Sequence, residues 1–157
     1  MAKGDRRPRP IRHALVYLLA YALLATVLLL RGEALRVTYP AWYAGLVLVL
    51  VTTGISIYWL GTRSSASKLE PVAIFSVNAA GLVSYFALAH KFAGLTNAGS
   101  QTSYADAFHF SIVTWTTLGY GDLLPIAEMR LLAAAEAVLG YVYFGIFVAL
   151  ACKALKI

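Results

Sequence analysis

The sequence predicts an all-α membrane protein. It has four transmembrane helices, and a short helix between the third and fourth enters the bilayer and turns back. Three observations carry that prediction. Hydrophobic residues make up 61% of the 157-residue chain and charged residues 13%, with a mean hydropathy of +0.74, far more apolar than a soluble average. The apolar residues gather in four long runs, with basic residues at their ends, as a bilayer favours. Between the third and fourth runs, a helical segment too short to cross is followed by Thr116-Thr117-Leu118-Gly119-Tyr120-Gly121-Asp122. The net charge of +6 forms no long basic stripe, so nucleic acid is not an expected partner. Cys152 is the single cysteine, which excludes an intrachain disulfide.

Residues 1–13 carry Lys3, Arg6, Arg7, Arg9 and Arg12 against Asp5, and Pro8 and Pro10 oppose a helix. This reads as a basic cytoplasmic tail; the alternative is the charged front of a signal peptide. The run Ala14 to Leu30 is longer than the usual apolar part of such a peptide. It ends in Arg31-Gly32-Glu33 rather than small residues, which favours a retained transmembrane helix. The second run, Val37 to Leu60, has Trp42 and Tyr43 near one end and Tyr58 and Trp59 near the other, as two membrane interfaces would. It exceeds the roughly 20 residues that cross a bilayer core. Thr52, Thr53 and Gly54 at its centre read as a packing seam. Residues 14–60 are therefore expected to form two helices. Neither carries arginine at every third position, so no voltage sensor is expected.

After a polar connection, Gly61 to Glu70, the third run opens on Pro71, a good first-turn residue. It continues to about His90, with Asn78, Ser84 and His90 as its polar members. Asn78 is expected to satisfy its amide on a neighbouring helix. Lys91 to Ser103 reads as loop, broken by Gly94, Asn97, Gly99 and Ser100. Ser103-Tyr104-Ala105-Asp106 offers a capping box for a helix over residues 104–115. At 1.5 Å per residue that helix is about 18 Å long, short of the roughly 30 Å hydrocarbon core, so it must enter and stop. The fourth run, Leu131 to Ala151, is long enough to cross and holds one charge, Glu136. A short cytoplasmic tail, 152–157, follows, and no C-terminal ligand-binding domain is expected.

Four crossings put both termini on one side. With the termini inside, Lys3, Arg6, Arg7, Arg9, Arg12, Arg63, Lys68, Lys153 and Lys156 face the cytoplasm, and Arg31, Arg36, Lys91 and Arg130 face out. Nine against four supports a cell-membrane protein with cytoplasmic termini. The short helix then opens from the outer face.

Non-helical backbone at membrane depth is tolerated only where protein buries it or where it lines a watery cavity. Gly119 and Gly121 reach backbone conformations that other residues avoid, so Thr117 to Gly121 can turn its carbonyls to one side. Such a row of oxygens can replace the water around a cation. The short helix assists, because its C-terminal end carries about half a negative charge. One strand cannot surround an ion; a closed ring of copies can.

At these residues the sequence resembles the potassium-channel family, whose filter signature is TVGYG. Thr116-Thr117-Leu118-Gly119-Tyr120-Gly121-Asp122, followed by Pro125, matches that signature with Leu118 in place of valine. The resemblance extends to Asp106-Ala107-Phe108, and to Gly140 and Gly145, ten and fifteen residues beyond Arg130. It covers residues 71–151 as a pore domain of outer helix, pore helix 104–115, filter 117–121 and inner helix 131–151.

The resemblance implies a homotetramer in the lipid bilayer that passes potassium passively and is not an enzyme. No cofactor is implied beyond the permeant potassium ion. The carbonyls of Thr117, Leu118, Gly119 and Tyr120, with the Thr117 hydroxyl, would form successive potassium sites. Gly121 would lie at the outer mouth and Asp122 just behind it. The Leu118 side chain would point away from the ion, into packing behind the filter. Thr116, Asp122, His109 and Glu136 are the candidates for filter support.

The chain departs from the family pattern at two places. Paired tryptophans of the pore helix are replaced by His109 and Phe110. His109 is expected either to hydrogen-bond Asp122, making the outer mouth sensitive to pH near about 6.5, or simply to pack at a protein contact. A glutamate found in some bacterial members is replaced by Val113. Glu136 has to satisfy a carboxyl deep in the membrane, where an unpaired charge costs several kcal/mol. It either faces the pore helix and bonds Ser111, Thr114 or a filter amide, or it reaches the outer interface.

Tyr141, Phe144, Val148 and Cys152 share one face of the inner helix, which either lines the cavity or packs on the outer helix. Gly140 and Gly145 are the gating candidates, Gly140 as hinge or as close-packing residue. The rivals to a potassium channel are a weakly selective cation channel and a non-conducting modulatory subunit. An enzyme built on Asp106, His109 and Asp122 lacks a nucleophile or metal-ligand spacing.

Overall fold

The computed structural model of the protein describes residues 42, 45–47, 50–51, 53–54, 70–98 and 101–155. The expected basic tail, the first expected helix and the last two residues lie outside the described residues, as does most of the second expected helix. Within them the order is α1 (Glu70–Ala93), β1 (Leu95–Thr96), α2 (Tyr104–Trp115), β2 (Leu124–Pro125), a 3-10 turn (Ala127–Met129) and α3 (Arg130–Leu155).

Helix α1 has 24 residues and is about 36 Å long. It runs past the expected end at His90, because nothing in Lys91, Phe92 or Ala93 stops it. Gly94 does: at φ +97 it takes the left-handed conformation that closes helices, and its N–H donates to the His90 carbonyl at 2.9 Å. The segment expected to be loop throughout then forms one short strand. Leu95 pairs with Pro125 and Thr96 with Leu124, antiparallel, and the Thr96 hydroxyl donates to the Leu124 carbonyl at 3.1 Å. This two-residue ladder ties the chain before α2 to the chain leaving the glycine strand.

Helix α2 has the expected bounds and the expected cap. The Asp106 N–H donates to Ser103 Oγ at 3.0 Å, and the Ser103 N–H donates to Asp106 Oδ2 at 3.0 Å. Helix α3 is longer than expected, 26 residues, led in by a 3-10 turn in which the Met129 N–H donates to the Ile126 carbonyl. Pro71–Ala93 and Ala127–Leu155 are long and apolar enough to cross a membrane.

The three helices and part of the second apolar run share one core. Phe75 stacks on Tyr143 at 4.5 Å, Tyr143 meets Trp115 edge-on at 5.3 Å, and Trp42 stacks on Phe92 at 6.2 Å. The Tyr85 hydroxyl donates to the Trp42 carbonyl. Asn78 meets the expectation through its oxygen alone: its Oδ1 accepts from Thr53 Oγ1 at 3.0 Å and from the Tyr143 hydroxyl at 2.5 Å, while its Nδ2 is buried with no partner among the described residues. One amide oxygen thus links the second run, α1 and α3. A buried polar group without such partners would cost more than the bonds return.

Only one face of α3 takes part. Leu132, Ala133, Glu136, Gly140 and Tyr143 are buried, whereas Leu131, Val138, Tyr141, Phe144 and Val148 are exposed. An apolar helix with so little of its surface covered by the described residues suits a surround of lipid or further copies.

The capping box gives a pH-dependent prediction. Hydrogen bonds from the Ser103 side chain and backbone hold the Asp106 carboxyl below its ordinary value, with a smaller contribution from His109. A depressed carboxylate stabilises the fold above its unfolded value and loses that contribution as pH falls through the folded one. Thermal melting of the protein in detergent should therefore fall in acid through the range just below about pH 4. Asp106→Asn should melt lower at neutral pH and lose the part of that dependence due to the box; an unchanged acid slope would contradict this.

Candidate functional site

The glycine strand begins where α2 is made to stop. Thr116 caps the helix, its hydroxyl donating back to the Ile112 carbonyl at 2.8 Å and its N–H to the same carbonyl at 3.0 Å. Thr117 then turns left-handed, at φ +58. For a β-branched residue this is a genuine outlier, of a kind that costs about 1–3 kcal/mol and persists only where the surroundings impose it. Here its N–H donates to the Thr114 carbonyl at 3.0 Å, and its hydroxyl to the Thr116 carbonyl at 2.7 Å.

The φ pattern of the strand is periodic. Thr117, Gly119 and Gly121 lie at +58, +55 and +78, and Leu118 and Tyr120 between them do not have positive φ. Backbone that alternates in hand can turn its like polar groups the same way. Beyond Thr117 the strand is fastened from behind, among the described residues, by one atom. The Val113 carbonyl accepts from the N–H of Leu118 at 2.9 Å and of Gly119 at 3.3 Å. Val113, noted in the sequence for lacking a carboxylate, acts through its backbone.

The expected supports are placed unequally. His109 lies parallel to the Tyr120 ring, 2° between planes and 6.1 Å between centroids, and its Nδ1 is 3.7 Å from Asp122 Oδ2. That is too long for the expected hydrogen bond; both side chains are about half exposed, which leaves the contact to water. Leu118 was expected to pack behind the strand. In the isolated chain it is 57% exposed and Tyr120 66% exposed, so the described residues do not cover it.

Glu136 resolves in favour of the interior. It is completely buried and does not reach an exposed interface. Its partner is one the sequence reading did not assign: His90 Nε2, 3.2 Å from Oε2. The Ser111 hydroxyl lies beside the carboxyl without an ordinary direct hydrogen bond. The signal was present in principle, since a lone acid in one apolar run and a lone histidine in another each need a partner.

Gly140 is a packing glycine. A Cβ there would stand 1.9 Å from the Trp115 carbonyl oxygen, so α3 passes directly against the end of α2. Gly145 has nothing within 4 Å. Tyr141, Phe144 and Val148 face away from the core, at 75, 69 and 43% exposure. Within the one chain they do not pack on α1.

The family model described as Ion channel matches residues 72–156, more than half of the chain. The chain belongs to the ion channel family. No curated protein and no solved structure gives a significant match to it. Members of this family move ions and catalyse no reaction, so the protein is a membrane channel component rather than an enzyme.

The glycine contacts predict opposite outcomes at two nearby positions. Gly140→Ala drives a methyl into a backbone carbonyl and should destabilise the detergent-solubilised protein by about 1–3 kcal/mol. Gly145→Ala meets open space and should be neutral or gain up to about 1 kcal/mol in helix propensity. Thermal melting of the two variants side by side checks this; equal behaviour would contradict the packing assignment.

Proposed function

We propose that four copies of this chain form a potassium-selective channel whose filter is Thr117 to Gly121. The observation that carries the reading is the alternating left-handed backbone at Thr117, Gly119 and Gly121, fastened to the Val113 carbonyl in a chain of the ion channel family. Carbonyls of Thr117, Leu118, Gly119 and Tyr120 take the place of water around the ion, and Gly121 forms the mouth. Thr116, Asp122 and His109 hold the strand's two ends. Potassium passes down its gradient through this ring and is the permeant ion, with no cofactor and no nucleic acid involved.

The fourfold ring is supported by the exposed side of the site. Leu118, Tyr120, Ile112, Val138 and Tyr141 are exposed hydrophobics on α2, the strand and α3, and neighbouring copies would cover part of that surface. Tyr141, Phe144 and Val148 are then free to line the cavity or meet a neighbour. A weakly selective channel is the second reading. It is favoured by one observation: the 3.7 Å separation of His109 from Asp122 is a looser brace than a hydrogen bond.

Purified protein in liposomes, with potassium or sodium gradients and barium as blocker, tests the reading. The expected outcome is barium-sensitive potassium flux with little sodium flux; equal fluxes would establish the second reading, and no flux would exclude both. Gly119→Ala adds left-handed strain of about 1–2 kcal/mol where a Cβ meets no other atom. It should cut potassium flux while the variant still assembles as a tetramer by mass in detergent.

A further inference from the structure

A titratable pair lies behind α2, outside the filter. His90 on α1 and Glu136 on α3 are both completely buried, with Nε2 and Oε2 3.2 Å apart. Helix α2 meets this pair through two consecutive residues. The Phe110 ring lies at 78° to the His90 ring with centroids 4.6 Å apart, and buried Ser111 places its hydroxyl beside the Glu136 carboxyl. Three polar atoms of these residues have no hydrogen-bond partner among the described residues: His90 Nδ1, Glu136 Oε1 and Ser111 Oγ.

A lone charge at such a place costs more than a hydrogen bond returns. A carboxyl and an imidazole at 3.2 Å avoid that cost by holding one proton between them, neutral as a pair whichever atom carries it. Ser111 stands two residues before Val113 on α2, and the Val113 carbonyl holds the amides of Leu118 and Gly119. A change in the depth or rotation of α2 therefore moves the atom to which the glycine strand is fastened.

We propose that His90 and Glu136 form a proton-sharing clamp that positions the filter through Ser111 and Phe110. The inference rests on the reading of Thr117 to Gly121 as the filter. All four are positioning residues, and none touches the ion. The clamp joins α1 and α3 on the hidden side of α2, so the filter is braced from within its own chain, independently of His109 and Asp122 at the mouth.

The test uses the full chain assembled in detergent and in liposomes. His90→Leu or Glu136→Leu alone leaves a buried polar partner and should lower tetramer yield. The double variant removes both groups and should restore yield, because a fully apolar replacement leaves nothing unpaired. Ser111→Ala removes only the hydroxyl. In the double variant and in Ser111→Ala, the potassium-to-sodium permeability ratio should fall about five-fold, as expected on losing one buried polar contact of ordinary strength. Amide exchange over residues 117–121 should quicken by a similar factor.

Wild-type selectivity and exchange in both variants would overturn the clamp and leave the pair as helix packing only. If the double variant fails to assemble, Ser111→Ala decides alone on the same two readouts. If the wild type passes no potassium, the filter reading fails, and unchanged amide exchange in Ser111→Ala would overturn the clamp separately.

Discussion

On the proposed reading α2 ends inside the membrane, which leaves its last carbonyls, and the backbone after it, without water. The contacts around the end of α2 answer that constraint. Thr116 and Thr117 return their hydroxyls to nearby carbonyls, and the Val113 carbonyl takes two amides from the strand beyond. Among the described residues, the carbonyls of the strand itself have no partner. On the proposed reading a cation is their partner.

The supports fall into two groups with different physics. At the far end of the strand, His109, Tyr120 and Asp122 are exposed to water in the isolated chain, and their contacts are a parallel ring pair and a 3.7 Å approach of His109 Nδ1 to Asp122 Oδ2. Exposed contacts of this sort are individually weak. Behind α2 the contacts are buried: the His90–Glu136 pair, the Trp115 carbonyl lying on Gly140, and the aromatic chain from Trp115 through Tyr143 to Phe75. Burial makes these contacts costly to break, so the hidden side fixes α2 while the exposed end of the strand remains adjustable. The exposed face of α3 belongs to neither group, since its own chain leaves it to lipid or to other copies.

The local parts of this arrangement were legible in the sequence. Ser103 and Asp106 spelled the capping box that starts α2, and the glycines of Thr117 to Gly121 marked where helix gives way to turned backbone. Asn78, a lone amide in an apolar run, had to bond a neighbouring helix and does. Pairings across the chain were not legible. His90 and Glu136 are 46 residues apart, and Leu95 and Thr96 meet Pro125 and Leu124 through a ladder too short to leave a pattern. Gly140 carried two readings because its role depends on the Trp115 carbonyl, an atom of a different helix. The loop expected from Lys91 began late, since the residues before Gly94 form helix well.

The central claim is that the carbonyls of Thr117 to Tyr120 hold a monovalent cation on a fourfold axis, and diffraction tests it most directly. Crystals of the assembled protein grown with thallium, an anomalous scatterer that stands in for potassium, should show a column of peaks on that axis, ringed by these carbonyls from four chains. An axis without peaks, or peaks held by side chains instead of the carbonyls of Thr117 to Tyr120, would contradict it.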